Sequence, residues 1–462
     1  MLRRKIEKLL EGWKKKKDKL PLVVEGMRQV GKTTSIRMFA QKHYQTIYEI
    51  NFFEHPELKA IFDGALDLDT ILKNLSFAFP SIRFSEGSTL LFLDEIQDAP
   101  KARTSLKFLA RDRRFDVIAS GSLLGINYSE VPSFPVGYTE SINMTGLDFE
   151  EYLWAIGIGE ELIDVLRASF DHFSPVDPFI HDRMLMLFSE YIVVGGMPAV
   201  VASYAEHRDY NRVLSIQRSI VSDFRRDIAK YADPDEKTKI ASIFSSLPRQ
   251  LAKDYKKFQY SAVEKGSGAR KYGGALFWLR DAGIVSFCNN LLRLELPLSG
   301  FKIENEFKVY LNDTGLLVSM YEDGTAARII SGELGIFKGA IYENIIAETL
   351  MKNGFPLFYF SPSSHLEIDF IISHSDALTL LEVKSGENTK SKSLKSTLGN
   401  PKYQIERAIR FSRRNVGKEE GIVSYPLYMA FMLESKASES LPSLFGDVVS
   451  QLRAYMKEND GK

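Results

Sequence analysis

Short apolar runs alternate with longer amphipathic segments through the first third of the chain, the pattern of a parallel sheet with helices on its faces. The runs predict strands at Leu20 to Glu25, Thr46 to Asn51, Thr89 to Leu93 and Asp116 to Ala119, each ending in polar residues. Open α/β sheets hold ligands at the carboxyl ends of their strands, so functional chemistry is expected there. From Leu147 to about Lys230 the apolar spacing becomes helical. Phe149-Glu150-Glu151-Tyr152-Leu153 opens this stretch and Gly195-Gly196-Met197-Pro198 breaks it, and a helical lid is the expectation. Asp235 to Asn290 predicts two helices, a polar turn at Gly266-Ser267-Gly268, a third helix through Leu276-Phe277-Trp278-Leu279 and a strand from Ile284. That order suits a winged helix, or else a helical subdomain used for packing. The carboxyl third predicts a helix from Gly339 to Asn353 and strands at Pro356 to Phe360, Glu367 to Ile372 and Leu378 to Val383, the last two joined by the turn Ser373-His374-Ser375-Asp376. A Ser-, Lys- and Gly-rich loop from Ser385 to Asn400 and a basic helix around Gln404 to Arg414 complete the pattern.

At 462 residues the chain exceeds one hydrophobic core, and the changes of pattern place boundaries at 1–146, 147–234, 235–300 and 301–462. No stretch approaches the roughly 20 apolar residues of a membrane helix. The amino terminus is basic and amphipathic without an apolar signal core, so the expected location is the cytoplasm, away from membranes. The formal net charge of zero confines any nucleic-acid surface to a local patch. Candidates are Arg3-Arg4-Lys5 with Lys14 to Lys17, Arg111-Asp112-Arg113-Arg114, and Lys390, Lys392 and Lys395; each is equally well read as a solvated face. The single cysteine, Cys288, excludes an internal disulfide and a cysteine-rich zinc site, and its apolar neighbours mark it as a buried small hydrophobe.

Gly26-Met27-Arg28-Gln29-Val30-Gly31-Lys32-Thr33 is a complete phosphate-binding loop, with strand residues Leu22-Val23-Val24 before it and helical residues from Thr34 after it. Its backbone amides turn inward on phosphates, Lys32 reaches the β- and γ-phosphates, Thr33 ligates Mg²⁺ and the helix adds its positive end. Leu90-Leu91-Phe92-Leu93-Asp94-Glu95 delivers two acids to the same sheet edge: Asp94 to hold Mg²⁺ through water, Glu95 to polarise the attacking water. A glutamate in that place points to hydrolysis. Val117-Ile118-Ala119-Ser120-Gly121-Ser122 ends a strand in hydroxyls, so Ser120 or Ser122 either senses the γ-phosphate or closes a turn. Arg111, Arg113, Arg114 and Arg225 are the candidates for an arginine that completes the transition state.

The loop and acid pair, the Phe149 to Leu153 opening, Tyr191-Ile192-Val193-Val194-Gly195-Gly196-Met197-Pro198 and Lys308-Val309-Tyr310-Leu311-Asn312-Asp313-Thr314-Gly315-Leu316 together resemble a prokaryotic family. It comprises AAA-superfamily ATP-binding proteins that carry a carboxyl-terminal domain of unknown function related to PD-(D/E)xK nucleases. The resemblance spans nearly the whole chain. It implies an α/β architecture with an AAA-type P-loop NTPase parallel-sheet core, a helical lid, a winged-helix linker and a nuclease-like α/β end, and it implies ATP as the nucleotide. Relatives often carry Gly-Arg after the sensor strand, whereas this chain has Gly137-Tyr138, which leaves the arginine finger to another residue or to a neighbouring copy in a homo-oligomer.

Within the nuclease-like end, Glu367-Ile368-Asp369 and Glu382-Val383-Lys384 lie on successive expected strands, and a period of two puts Asp369, Glu382 and Lys384 on one face. Asp369 and Glu382, with Glu343 from the preceding helix, are the expected metal ligands; Lys384 would orient the hydrolytic water, and His365 or Gln404 would contact metal, water or phosphate. The same residues also fit a folded relic with an ordinary surface ion pair. The expected function is an ATP-hydrolysing protein that engages DNA through the winged helix and the nuclease-like end, with metal-dependent cutting as its further activity; the alternatives are an ATP-controlled switch that does not cut and a nucleotide-controlled partner-binding protein that needs no DNA.

Overall fold

The computed structural model describes residues 2–80, 82, 84–122, 137–252, 257–333, 338–375, 377–386, 391–403 and 405–435. Asp376, Lys390 and Gln404, expected in a turn, a basic run and a site, lie outside the described residues.

The amino-terminal region runs α1 (Ile6–Lys15), β1 (Leu22–Glu25), α2 (Lys32–His43), β2 (Thr46–Asn51), α3 (Leu68–Ala78), β3 (Thr89–Asp94), α4 (Pro100–Leu109), β4 (Asp116–Gly121) and β5 (Glu140–Asn143). The strands form a five-stranded sheet in the order β2-β3-β4-β1-β5, and each pairing is parallel. β3 and β4 are buried along their whole length, which is why they read as unbroken apolar runs. Because the sheet is parallel, β1, β3 and β4 all present their carboxyl ends on one side, and the phosphate-binding loop leaves β1 there.

Helices follow: α5 (Phe149–Ala155), α6 (Glu160–Asp171), α7 (Pro178–Val194), α8 (Pro198–His207) and α9 (Tyr210–Tyr231). α5 starts at a capping box in which Asp148 and Glu151 satisfy each other's backbone N–H groups.

Next come α10 (Lys237–Leu251), α11 (Ala269–Asp281), β6 (Val285–Leu291), β7 (Lys302–Leu311), α12 (Thr314–Ser319), α13 (Thr325–Ser331), α14 (Lys338–Lys352), β8 (Phe358–Ser363), β9 (Leu366–His374), β10 (Ala377–Val383), α15 (Lys392–Leu398), β11 (Arg407–Ser412), β12 (Gly417–Glu419) and β13 (Ile422–Pro426). The second helix expected before Gly266 is represented among the described residues by a single 3₁₀ turn, Tyr260–Ala262. β6 pairs antiparallel with β7 and parallel with β8, so both belong to an eight-stranded sheet ordered β12-β13-β11-β10-β9-β8-β6-β7. The boundary expected between 300 and 301 therefore falls between paired strands. Cys288 is fully buried in β6, as its neighbours indicate.

Two expectations near the carboxyl end are corrected. The basic helix around Gln404 to Arg414 is the strand β11: Arg407, Arg410 and Arg414 are spaced like one face of a helix, but Ala408, Ile409 and Phe411 are all buried in the sheet. Arg410 is itself buried, bonded to Ser424 on the neighbouring strand. The Ser-, Lys- and Gly-rich loop contains α15, because Leu394 and Leu398, one turn apart, pack into an apolar cluster on the sheet. Among the described residues no helix is long and apolar enough to cross a membrane.

The two glycine-containing motifs at 191–198 and 308–316 meet. Asp313 accepts from the Gly196 N–H at 2.7 Å and, through its other oxygen, from the Leu316 N–H at 2.8 Å. Gly195 has φ +72°, and a Cβ there would lie 2.4 Å from Asp313 Oδ1, so only glycine fits.

Candidate functional site

The loop between β1 and α2 is built to take an anion. No side chain caps the amino end of α2, so the N–H groups of its first turn are left for a ligand. Gly26 has φ +152°, and a Cβ on it would come 2.1 Å from the carbonyl oxygen of Met144, just beyond β5. The Lys32 ammonium is buried and donates to the carbonyl oxygens of Gly26 and Met27 at 2.9 and 3.0 Å. Burial pulls its pKa down to about 8 against the opposing pull of Glu95 and Asp94, and the positive charge of Arg28 lowers it further. Phosphate oxygens placed against Lys32 would favour its charged form and raise that value. Nucleotide binding at pH 8–9 is therefore expected to take up a proton, and at pH 6 it is expected to take up none from this group. Calorimetry in buffers of different ionisation heat reads this directly; proton release at pH 8–9 would contradict the assignment.

Asp94, at the end of β3, accepts from Thr33 Oγ1 at 3.0 and 3.1 Å, from Asn51 Nδ2 at 3.0 Å and from the Ser120 hydroxyl. Burial pushes its carboxyl above the usual range, as does Glu95, while the Ser120 and Thr33 hydroxyls pull it back. A buried carboxylate against the hydroxyl that opens α2 is a donor set suited to Mg²⁺ with its waters. Ser120 thus positions Asp94. Ser122 is buried one step farther along and gives its N–H to Gln97 Oε1 at 3.1 Å. Gln97 Nε2 in turn donates to Glu95 Oε2 at 2.5 Å. Glu95 has φ +54°, a left-handed conformation at the point where the chain leaves β3.

Several residues of this site were not assigned to it from the sequence, and Arg4, expected in a basic surface run, is instead buried. Arg4 is buried and joins Val30 O at 2.9 Å, Thr145 O at 2.7 Å and Glu151 at 3.0 Å, so the start of the chain clasps the loop to β5 and α5. Arg103 of α4 pairs with Glu25 at 2.7 Å, directly before the loop. Beside Gly31 and Thr34 opens a cleft of about 910 Å³, lined also by Leu2, Trp154, Ile158 and Pro198. Arg3 lies 4.0 Å over the Trp154 ring, and the buried indole N–H of Trp154 has no partner among the described residues.

The arginine candidates separate. Arg111, Arg113 and Arg114 precede the amino end of β4, opposite the loop; Arg113 pairs with Asp18 and Arg114 with Asp112. They cannot reach a phosphate bound in their own chain. Arg225 is exposed on α9, a helix that touches the loop through Asp223 and Asp227.

The carboxyl-terminal constellation is partly brought together. The antiparallel register that pairs Leu381 with Phe370 sets Glu382 opposite Asp369. Asp369 accepts from the Val383 N–H at 2.8 Å, and Glu382 pairs with Lys384 at 2.6 Å. The second carboxylate oxygen of Glu382 is buried without a hydrogen-bond partner among the described residues. Glu343 is committed elsewhere: its side chain takes the Lys308 ammonium at 3.1 Å and the Tyr310 hydroxyl. Lys308 is fully buried and also meets Glu367 at 2.6 Å. Among the described residues no group of three His, Cys, Asp or Glu side chains is placed to hold a metal ion. His365 is exposed in the turn between β8 and β9.

Residues 18–153 match the family model described as an AAA domain. Residues 185–327 and 338–429 match two models described as domains of unknown function, DUF8612 and DUF4143. No curated protein sequence matches the chain. Among solved structures the chain is similar to a Walker-type ATPase of Pyrococcus abyssi, at 13% identity over 69% of this chain and 96% of that one, with a TM-score of 0.42. It is also similar to PCH-2 of C. elegans, at 10% identity over 41% and 56% of the two chains, with a TM-score of 0.25. A third similarity is to Drosophila ORC bound to DNA, at 11% identity over 66% and 90%, with a TM-score of 0.25. The amino-terminal region is a P-loop ATPase domain of AAA type.

Proposed function

We propose that this protein is an ATP-hydrolysing switch whose carboxyl-terminal region engages DNA without cutting it. The observation that carries the ATPase reading is the placement of Asp94 against Thr33, Asn51 and Ser120 at the mouth of a phosphate loop, with Glu95 beside it. Thr33 and Asp94 hold Mg²⁺, Lys32 meets the β- and γ-phosphates, and Glu95 orients water. The cleft beside Gly31 and Thr34 takes the base, with Trp154 as its aromatic wall.

The DNA reading is supported by α10, α11 and the β6–β7 hairpin, which keep the order of a winged helix with a 3₁₀ turn in place of its second helix, and by exposed Arg270, Lys271 and Arg280 on α11, of which Lys271 pairs with Glu264 and Arg280 with Asp281. The absence of cutting rests on Lys308. An ammonium held between Glu343 and Glu367 supplies there the positive charge that a metal would bring, and Glu343 is thereby withdrawn from Asp369 and Glu382.

The test combines duplex binding and nicking on wild-type protein with ATP, with ADP and without nucleotide. Binding is expected to depend on nucleotide and to weaken steeply with salt, as phosphate contacts do, with no nicking in Mg²⁺ or Mn²⁺. Metal-dependent nicking that is lost in Asp369→Ala would establish the nuclease reading instead. Nucleotide-dependent conformational change with no duplex affinity at any salt would assign the switch to a protein partner.

A further inference from the structure

The phosphate loop carries a second cation whose task the reading above leaves open. Arg28 lies between Met27, whose carbonyl holds Lys32, and Gln29. Its guanidinium is paired with Asp227 on α9 and sits 5.6 Å from the Tyr231 ring. Gln29, in a left-handed conformation at φ +65°, donates to Asp223 at 3.1 Å, one turn earlier on the same helix. Two consecutive loop residues are thus tied to two acids spaced one helical turn apart. Arg28 also belongs electrostatically to the phosphate site, since its charge acts on Lys32 on one side and on Asp98, beside Glu95, on the other.

We propose that Arg28 is the γ-phosphate sensor of this loop: a terminal phosphate replaces Asp227 as the partner of its guanidinium, so that ATP, and not ADP, releases α9 from the loop. The proposal rests on the ATPase reading. A guanidinium prefers the planar, bidentate contact that phosphate oxygens offer, and a γ-phosphate brings more negative charge than one carboxylate. Asp227 is a weak competitor: burial and the neighbouring Asp223 both raise its pKa above the usual carboxylate range, against Arg28 and Lys230. Sequence position supports the assignment, because Arg28 is inside the loop that cradles phosphate, whereas Arg111, Arg113 and Arg114 are at the far end of the sheet.

Release has a direction. Nearer its amino end, α9 sends Gln217 to the carbonyl oxygens of Val193 and Val194 at 2.8 and 2.9 Å, and Arg218 to Asp323. The helix that reads the γ-phosphate therefore bears on the Gly195-Gly196 junction and on the segment ahead of α13. Hydrolysis returns Arg28 to Asp227 and re-forms the tie.

The experiment measures binding of ADP and of the non-hydrolysable β,γ-imido analogue of ATP, with hydrogen exchange along α9, for wild type, Arg28→Ala, Asp227→Asn and Lys32→Ala. Arg28→Ala is expected to lose about 10–100-fold in affinity for the analogue while ADP binding holds within about threefold. Asp227→Asn is expected to tighten the analogue about 3–10-fold and leave ADP unchanged. Exchange at 223–231 rises with the analogue and not with ADP in wild type, and responds to neither in Arg28→Ala. Equal losses for both nucleotides in Arg28→Ala, or an Asp227→Asn protein that discriminates as wild type does, would overturn the sensor. If Arg28→Ala does not fold, Asp227→Asn decides the matter alone. A wild-type protein indifferent to Lys32→Ala and binding neither nucleotide removes the ATPase reading itself, an outcome distinct from the loss of the sensor alone.

Discussion

Glu95→Gln is expected to bind ATP and Mg²⁺ as the wild type does and to hydrolyse ATP about 10²–10⁴-fold more slowly, the range that a positioned general base supplies. The two acids that end β3 are adjacent in sequence and differ in surroundings. Asp94 is buried and accepts from Thr33, Asn51 and Ser120, so its oxygens are already engaged by the groups around the metal site. Glu95 departs from the strand through a left-handed residue at φ +54°, an arrangement that a non-glycine residue holds at a cost of roughly 1–2 kcal/mol. An observed strain of this kind at a ligand site points toward function. Glutamine keeps the size of the side chain and its contact with Gln97, and it cannot accept the proton of an attacking water. Phosphate release and equilibrium nucleotide binding, measured on the same preparation, separate the two roles. Hydrolysis within about threefold of wild type would move the base elsewhere, with the partly buried Asp98 next to be tested. Loss of binding would make Glu95 a structural residue.

What could be read from the chain follows from how locally each feature is encoded. The strands of the first sheet are short apolar runs closed by polar residues, and the phosphate loop is contiguous, so both are visible without tertiary knowledge. Arg4, Trp154, Asp223 and Asp227 are not legible as residues of this site, because they reach it from other elements: Arg4, which reads as one of a basic surface run, meets Glu151 across 147 positions, and Arg28 meets Asp227 across 199. No local period marks such a residue. Ser120 was visible as a polar strand end, but its attachment to Asp94 depends on β3 and β4 being neighbours. β11 misled for a related reason. Arginines spaced by three and four imitate a helical face, and only the neighbouring strands β10 and β13 show that Ala408, Ile409 and Phe411 belong to a sheet. The acids and lysine at 367–384 were legible as alternating strand positions, whereas Lys308, which captures Glu343, comes from a strand earlier in the chain.

Lys352→Ala is expected to cost about 3–5 kcal/mol of stability, the usual penalty for stranding a buried charge. The side chain of Lys352 is 2% exposed and that of its partner Glu348 is fully buried, at 2.6 Å. The same ammonium donates to Leu147 O at 2.8 Å and to the Tyr191 hydroxyl at 3.2 Å, and Glu348 accepts from the Thr314 N–H and hydroxyl at 2.7 and 2.6 Å. α14 is thereby bolted to the start of the helical segment and to the turn that presents Asp313 to Gly196. Removing the lysine leaves a carboxylate without its cation and the Tyr191 hydroxyl without a donor, while Leu147 O keeps the Tyr191 hydroxyl at 2.7 Å. Equilibrium urea unfolding, followed by fluorescence including that of Trp154 on α5, measures the loss where the joint meets the ATPase domain. Pairing Lys352→Met with Glu348→Gln is expected to recover at least half of it, since the amide still accepts from Thr314 and no net charge remains buried. A single variant that loses less than about 1 kcal/mol would mean that water reaches Glu348 and that the pair behaves as a surface ion pair does. The coupling between α9 and the carboxyl-terminal region would then run through Asp313, Gln217 and the Arg218–Asp323 pair, and Asp313→Ala would become the variant that separates nucleotide binding from its effect on the rest of the molecule.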